Sequence, residues 1–187
     1  MAFKPSGRGP KKSRGGKAAR RRESTPPAAS GTTLRARKRP DEEAWELVHP
    51  RCARDREEDL EEVRKMIDAG ESEVAMDECR WLLSGCADCL EAHRILCEIA
   101  MGENDLPLAR GHFGYAYRLG EKALEQARNP APLPYRLQSN QSFLEAAKGL
   151  AWCLKELDKR EMAAEVVAVM LRCDPQDTLG VRKLLDG

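Results

Sequence analysis

Ala75 and Ala109 stand 34 residues apart, each at the small-residue position of a short amphipathic stretch that follows another of the same kind across a turn. That spacing asks for helical hairpins repeated at a fixed period. The first stretch carries Leu60, Val63, Met66 and Ile67 at helical intervals and stops at Gly70. Its partner runs from about Ser72 to Leu83, with Val74, Ala75, Cys79 and Leu82 on one face. In the next pair, Ala92, Leu96, Ile99 and Ala100 form a stripe ending at Gly102, and Leu106, Ala109, Phe113 and Ala116 form another. Pro107 falls near the start of that second helix, where its missing N–H costs nothing, with Asn104 or Asp105 as the cap. A third pair begins at Ser142, placed relative to Glu145 as in a capping box, and continues through Ala147, Leu150, Ala151 and Leu154. Its second helix carries Met162, Ala163, Val166, Val167 and Met170 and is closed by Asp174 and Pro175.

Ala109, Phe113 and Ala116 follow the second-helix pattern of the tetratricopeptide repeat (TPR), and Leu150, Ala151, Leu154, Ala163, Val167, Met170 and Pro175 occupy the corresponding positions of the last pair. Residues of about 56 to 176 therefore resemble a TPR protein of about three repeats. The departures are His93 and Ala147, where the pattern starts a helix with Trp, and Cys79, where Phe is usual. The step from Ala109 to Ala163 is 54 residues, 20 more than one period, which places a lengthened helix through Arg128 and a loop over residues 129–135 between the second and third repeats. The expected fold is all-α, a TPR-like α-solenoid of about three helix hairpins in residues 41–187, with Thr178 to Leu185 as a short capping helix. A generic bundle of the same helices is the alternative packing. Gly111 and Gly114 each cost about 1 kcal/mol relative to Ala inside a helix, so a close helix contact is expected there.

The resemblance implies a concave face, lined by the first helix of each pair, that accepts an extended peptide or a partner helix. Counting along the pattern puts Glu91, Arg94 and Glu98, then Glu145, Lys148 and Trp152, on that face. Arg94, Glu98, Lys148 and Trp152 are the candidates for partner contact, with Trp152 as the anchor because Trp is enriched at binding hot spots. TPR clamps for a C-terminal carboxylate use an Asn where Trp152 stands, so chaperone-tail binding is not implied. The expected function is a protein-interaction module with an unidentified protein or peptide as partner.

Residues 1–40 hold 13 Lys and Arg against the single acid Glu23, about +12, while residues 41–187 sum to about −11. The net +1 conceals two oppositely charged parts. Gly, Pro, Ser, Ala and basic residues dominate the first 40 positions, which are expected to be a disordered basic tail unable to bury enough apolar surface to order itself. Its clusters, Lys11, Lys12 and Arg14, then Arg20, Arg21 and Arg22, then Arg37, Lys38 and Arg39, could bind nucleic-acid phosphates electrostatically, which is the alternative function. In a nucleated cell they would resemble a bipartite nuclear import signal; otherwise the chain is expected to be cytoplasmic. No apolar run is long enough to cross a bilayer.

Seven cysteines without an export signal read as reduced thiols, and no disulfide is expected. Cys86 and Cys89, with His93 four residues on, have metal-ligand spacing, yet a structural zinc wants four ligands in a closed tetrahedron. No cofactor or metal is expected. His49, His93 and His112 belong to no recognisable nucleophile, base and orienter arrangement, and the acid pairs Glu57–Glu58 and Glu61–Glu62 read as solvated helix faces, so no enzyme is expected.

Overall fold

The structure, a computed structural model, describes residues 33–128 and 130–185. Residues 33–40, expected in the tail, belong instead to the folded body. An antiparallel hairpin joins β1 (Arg35–Lys38) to β2 (Trp45–Val48), with Arg35 opposite Val48 and Lys38 opposite Trp45. Leu34 and Leu47 are buried in the core, while Arg37 and Lys38 remain outside. A strand needs only alternate residues to be apolar, and here Leu34 just before β1, Ala36 within it, and Trp45 and Leu47 of β2 supply the face that the helices cover. The rest of the expected tail lies outside the described residues.

The chain is otherwise mainly helical. A four-residue α1 (Arg51–Arg54) leads into α2 (Glu57–Asp68), α3 (Ser72–Gly85), α4 (Leu90–Gly102), α5 (Leu106–Gln126), α6 (Gln138–Glu156) and α7 (Arg160–Cys173), followed by a 3₁₀ turn at Val181–Leu184. From α2 onward each helix packs on the next in sequence, α4 also meets α6, and the hairpin leans on α5 and α6. No helix among the described residues is long and apolar enough to cross a membrane.

Local chemistry accounts for most of these boundaries. Gly70 takes a φ of +80° in the turn between α2 and α3. Asp105 caps α5 by accepting the Leu108 N–H at 3.0 Å, with Pro107 in the first turn. The third pair departs from expectation: α6 starts four residues before Ser142, after a turn in which the Leu137 N–H donates to Pro134 O. Ser142 is thus inside a helix and is no capping box. Val74 and Met162, expected on inner faces, are 53% and 50% exposed.

Two apolar clusters share α4. Ala92, Ile95, Leu96 and Ile99 face one formed with α2 and α3, whereas Leu90, Cys97 and Ala100 face the other, built from α5, α6, α7 and the hairpin. The second cluster is interlocked by rings. Phe143 of α6 lies over Gly120 of α5, where an added Cβ would come within 2.1 Å of the ring, and Phe113 of α5 lies over Gly149 of α6, where it would come within 2.3 Å. The expected contact at Gly111 and Gly114 is corrected accordingly: a Cβ at Gly111 would meet nothing within 4 Å, and at Gly114 only Leu150 Cδ1 at 3.9 Å.

Asn140 joins three segments that are distant in sequence. Its Oδ1 accepts the Leu47 N–H at 2.9 Å, and its Nδ2 donates to Trp45 O at 3.1 Å and Pro134 O at 3.0 Å. Fully buried, it satisfies its own amide while riveting β2 and the α5–α6 loop to α6.

Candidate partner-binding groove

Helical spacing puts Glu57, Leu60, Glu61 and Arg64 on one face of α2, Glu91 and Arg94 on one face of α4, and Gln138, Gln141, Ser142 and Glu145 on one face of α6. These faces converge on an open groove of about 680 Å³. Ala53 and Arg54 of α1, together with His49, also line it. The His49 Nε2–H donates to Ser139 O at 2.7 Å, tying the segment after β2 to the first turn of α6.

Glu91 is the junction of the three helices. It accepts hydrogen bonds from Arg64 of α2 at 2.6 Å, from Arg94 of its own helix at 2.7 and 3.0 Å, and from the Ser142 hydroxyl of α6 at 2.9 Å. Burial pushes its carboxyl upward, but the hydrogen bonds and charge of Arg94, with those of Arg64 and Ser142, outweigh it, and the group titrates at about 2. Arg94 is bound in turn to Glu98 and lies 3.5 Å from Glu145, which accepts the Tyr135 hydroxyl at 2.6 Å. Its hydrogen bond to Glu91 raises an already high guanidinium pKa. The floor is therefore a pre-ordered ionic lattice running from α2 to the α5–α6 loop. Glu57 and Glu61, exposed on the rim, make no ion pair with any described residue.

Of the residues the sequence singled out, Arg94 sits in the wall, less than a fifth exposed, and Glu98 is its partner beyond the cavity. Burial moves the Glu98 carboxyl upward, opposed by Arg94 and reinforced by Glu91 and Glu145. Lys148 and Trp152 continue the same α6 face past Glu145 but do not line the cavity; Trp152 is half-buried against the larger core cluster. Arg64, Ser142 and His49 were not anticipated. Ser142 was concealed by its apparent role as a cap, and Arg64 sits in a run of charged residues where nothing in the spacing distinguishes it from its neighbours.

Among the tail candidates, Arg37 pairs with Glu46, Lys38 with Glu43, and Arg39 with Glu42 and Glu46, so these three are neutralised within the hairpin. Lys11, Lys12, Arg14, Arg20, Arg21 and Arg22 lie outside the described residues.

The thiol expectation is corrected at one place. Cys52 of α1 and Cys86, just after α3, form a disulfide with 5.7 Å between their Cα atoms. Residues 34 positions apart are brought within bridging reach because α1 folds back onto the turn before α4, a proximity no sequence spacing encodes. Arg56 stacks over Trp81 beside this bridge, 4.5 Å from the ring centroid. Cys89 is buried and free, so Cys86 and Cys89 do not act as a pair. His93 is engaged as well. Its Nε2–H donates to Ala87 O at 3.1 Å, which leaves Nδ1 to accept from His112 Nδ1 at 3.3 Å. Among the described residues no three His, Cys, Asp or Glu side chains cluster as a metal site would require. Comparison of the chain with protein-family models, curated proteins and solved structures finds no match.

Proposed function

We propose that the chain is a protein-interaction module of TPR-like solenoid design that holds an extended peptide or partner helix along α2, α4 and α6. One observation carries the reading: the first helices of three successive pairs turn their polar faces onto a single open groove whose floor is already ordered through Glu91. A partner entering such a groove meets donors and acceptors held in place, which lowers the entropic cost of association. The polar lining, with Gln138, Gln141 and Ser142 beside Glu145, suits main-chain amides as well as side chains. His49 is committed to Ser139 O and Glu91 to three donors, so neither is set up as a base for catalysis; we read the protein as a binder and not as an enzyme.

Affinity capture from native extract tests the reading with the full chain, a Gln141→Trp variant that fills the groove, and a Lys148→Glu/Trp152→Ala variant that alters the α6 face beyond it. Proteins held at high salt by the unaltered chain are expected to be lost with Gln141→Trp and weakened by the double variant. Retention by both variants rules the groove out as the binding site.

A further inference from the structure

Two features of the groove point to an occupant supplied by the chain itself. The first is charge. Glu57 and Glu61 stand exposed on the rim without an ion pair to any described residue. Arg64 is committed to Glu91, and Arg94 to Glu91, Glu98 and Glu145, leaving Arg54 as the lining cation that opposes Glu57 and Glu61. The second is where the described chain begins. The Leu34 N–H donates to Asp88 Oδ2 at 3.2 Å, in the turn leading directly into Cys89 and Leu90, which line the groove. Extending the hairpin register by one pair sets Leu34 opposite His49, which lines the same groove. The 32 residues preceding Thr33 thus join the folded body beside the groove, and they carry nine Lys and Arg against the single acid Glu23.

We infer that this basic segment, centred on Lys11 to Arg22, occupies the acidic rim in cis and competes with partners for the groove. The inference rests on the groove being the binding site, as proposed above. Reach is no obstacle: 32 residues span up to about 110 Å when extended, whereas α6 is only about 28 Å long. A tethered segment meets its site at an effective concentration on the order of millimolar, so even an affinity of about 0.1 mM keeps the groove mostly filled and weakens a competing ligand about tenfold. Because the contacts are exposed ion pairs, the competition fades as salt rises. The groove is then self-limiting: a partner must out-compete a weak cationic stand-in, or the stand-in must lose charge or be captured elsewhere.

The test uses a labelled synthetic peptide with the sequence of residues 8–22, titrated at low salt into three full-length chains and followed by anisotropy. These are the unaltered protein, a variant with Lys11, Lys12, Arg20, Arg21 and Arg22 changed to Gln, and the same variant carrying Glu57→Lys and Glu61→Lys. The expected result is binding about tenfold tighter to the Gln variant than to the unaltered chain, abolished by the two rim reversals. Equal affinity for the first two chains, with loss on rim reversal, overturns occupation in cis and leaves the groove reading standing. Binding indifferent to Glu57 and Glu61 overturns both. Sedimentation of the unaltered chain supplies the remaining arm: a dimer that disappears in the Gln variant assigns the segment to a second copy and overturns the intramolecular contact.

Discussion

The two apolar clusters on either side of α4 are built from different materials. The one formed with α2 and α3 contains no aromatic ring; its buried members are Ala, Val, Leu, Ile and Cys, and a disulfide closes its edge. The one formed with α5 to α7 is organised by Phe113, Tyr117 and Phe143, with rings seated over glycines and Tyr117 stacked on Phe143 at 6.0 Å between centroids. A cluster of small side chains supplies little area per residue and gains from a covalent tie, whereas rings pressed into glycine notches fix helix spacing without one. The groove lies where these two kinds of construction meet, with α2 on the covalently tied side and α6 on the interlocked one.

The contrast breaks most severely at Phe143. Phe143→Ala should cost about 4 kcal/mol in chemical denaturation, by removing a fully buried ring and leaving a cavity over Gly120. Hydrogen exchange in that variant sharpens the point: if α4 couples the clusters, protection falls in α2 and α3 as well as in α5 to α7. On the other side, Cys52→Ser opens a loop of 34 residues and should cost about 3 kcal/mol, a difference that vanishes when both proteins are measured in excess dithiothreitol.

His93, buried on α4 with its ring against His112 and Tyr115 of α5, gives the fold a pH dependence. Burial, with a smaller contribution from His112 opposed by the Ala87 carbonyl, depresses its folded pKa to about 4, below the unfolded value of about 6.5. The unfolded chain therefore binds the proton first. The stabilisation is present in full above pH 6.5 and is lost as pH falls toward 4, amounting to about 2 kcal/mol between pH 7 and pH 5. His93→Gln should flatten that part of the stability curve, and an unchanged slope would assign the acid sensitivity elsewhere. The mildest test is a pair of glycines on one helix. Gly120→Ala should destabilise by about 2 kcal/mol through its clash with Phe143, whereas Gly111→Ala, with open space around it, should stabilise by about 0.5–1 kcal/mol.

The helices were legible because their apolar residues repeat at the helical interval and because Gly70, Asp105 and Pro107 punctuate them by local chemistry. The hairpin was not. Its strand Arg35–Lys38 is mostly charged, and what folds it is Leu34 docking against helices more than 50 residues later together with ion pairs to Glu42, Glu43 and Glu46. Of the groove, Glu91, Arg94 and Glu145 could be reached by counting turns, since facing positions recur along a helix. Arg64, Ser142 and the Cys52–Cys86 bridge could not, because they depend on distances between helices that no single element encodes.

The Asn140 rivet also sets an order of events at the ribosome. Trp45 and Leu47 must wait for a partner made more than 90 residues later, roughly 5–20 s at ordinary elongation rates. For that interval β2 lacks the α6 face on which it packs. The charged edge of the hairpin, with Arg37 and Lys38 matched to Glu46 and Glu43 within it, discourages pairing with the wrong neighbour until the rightful one arrives.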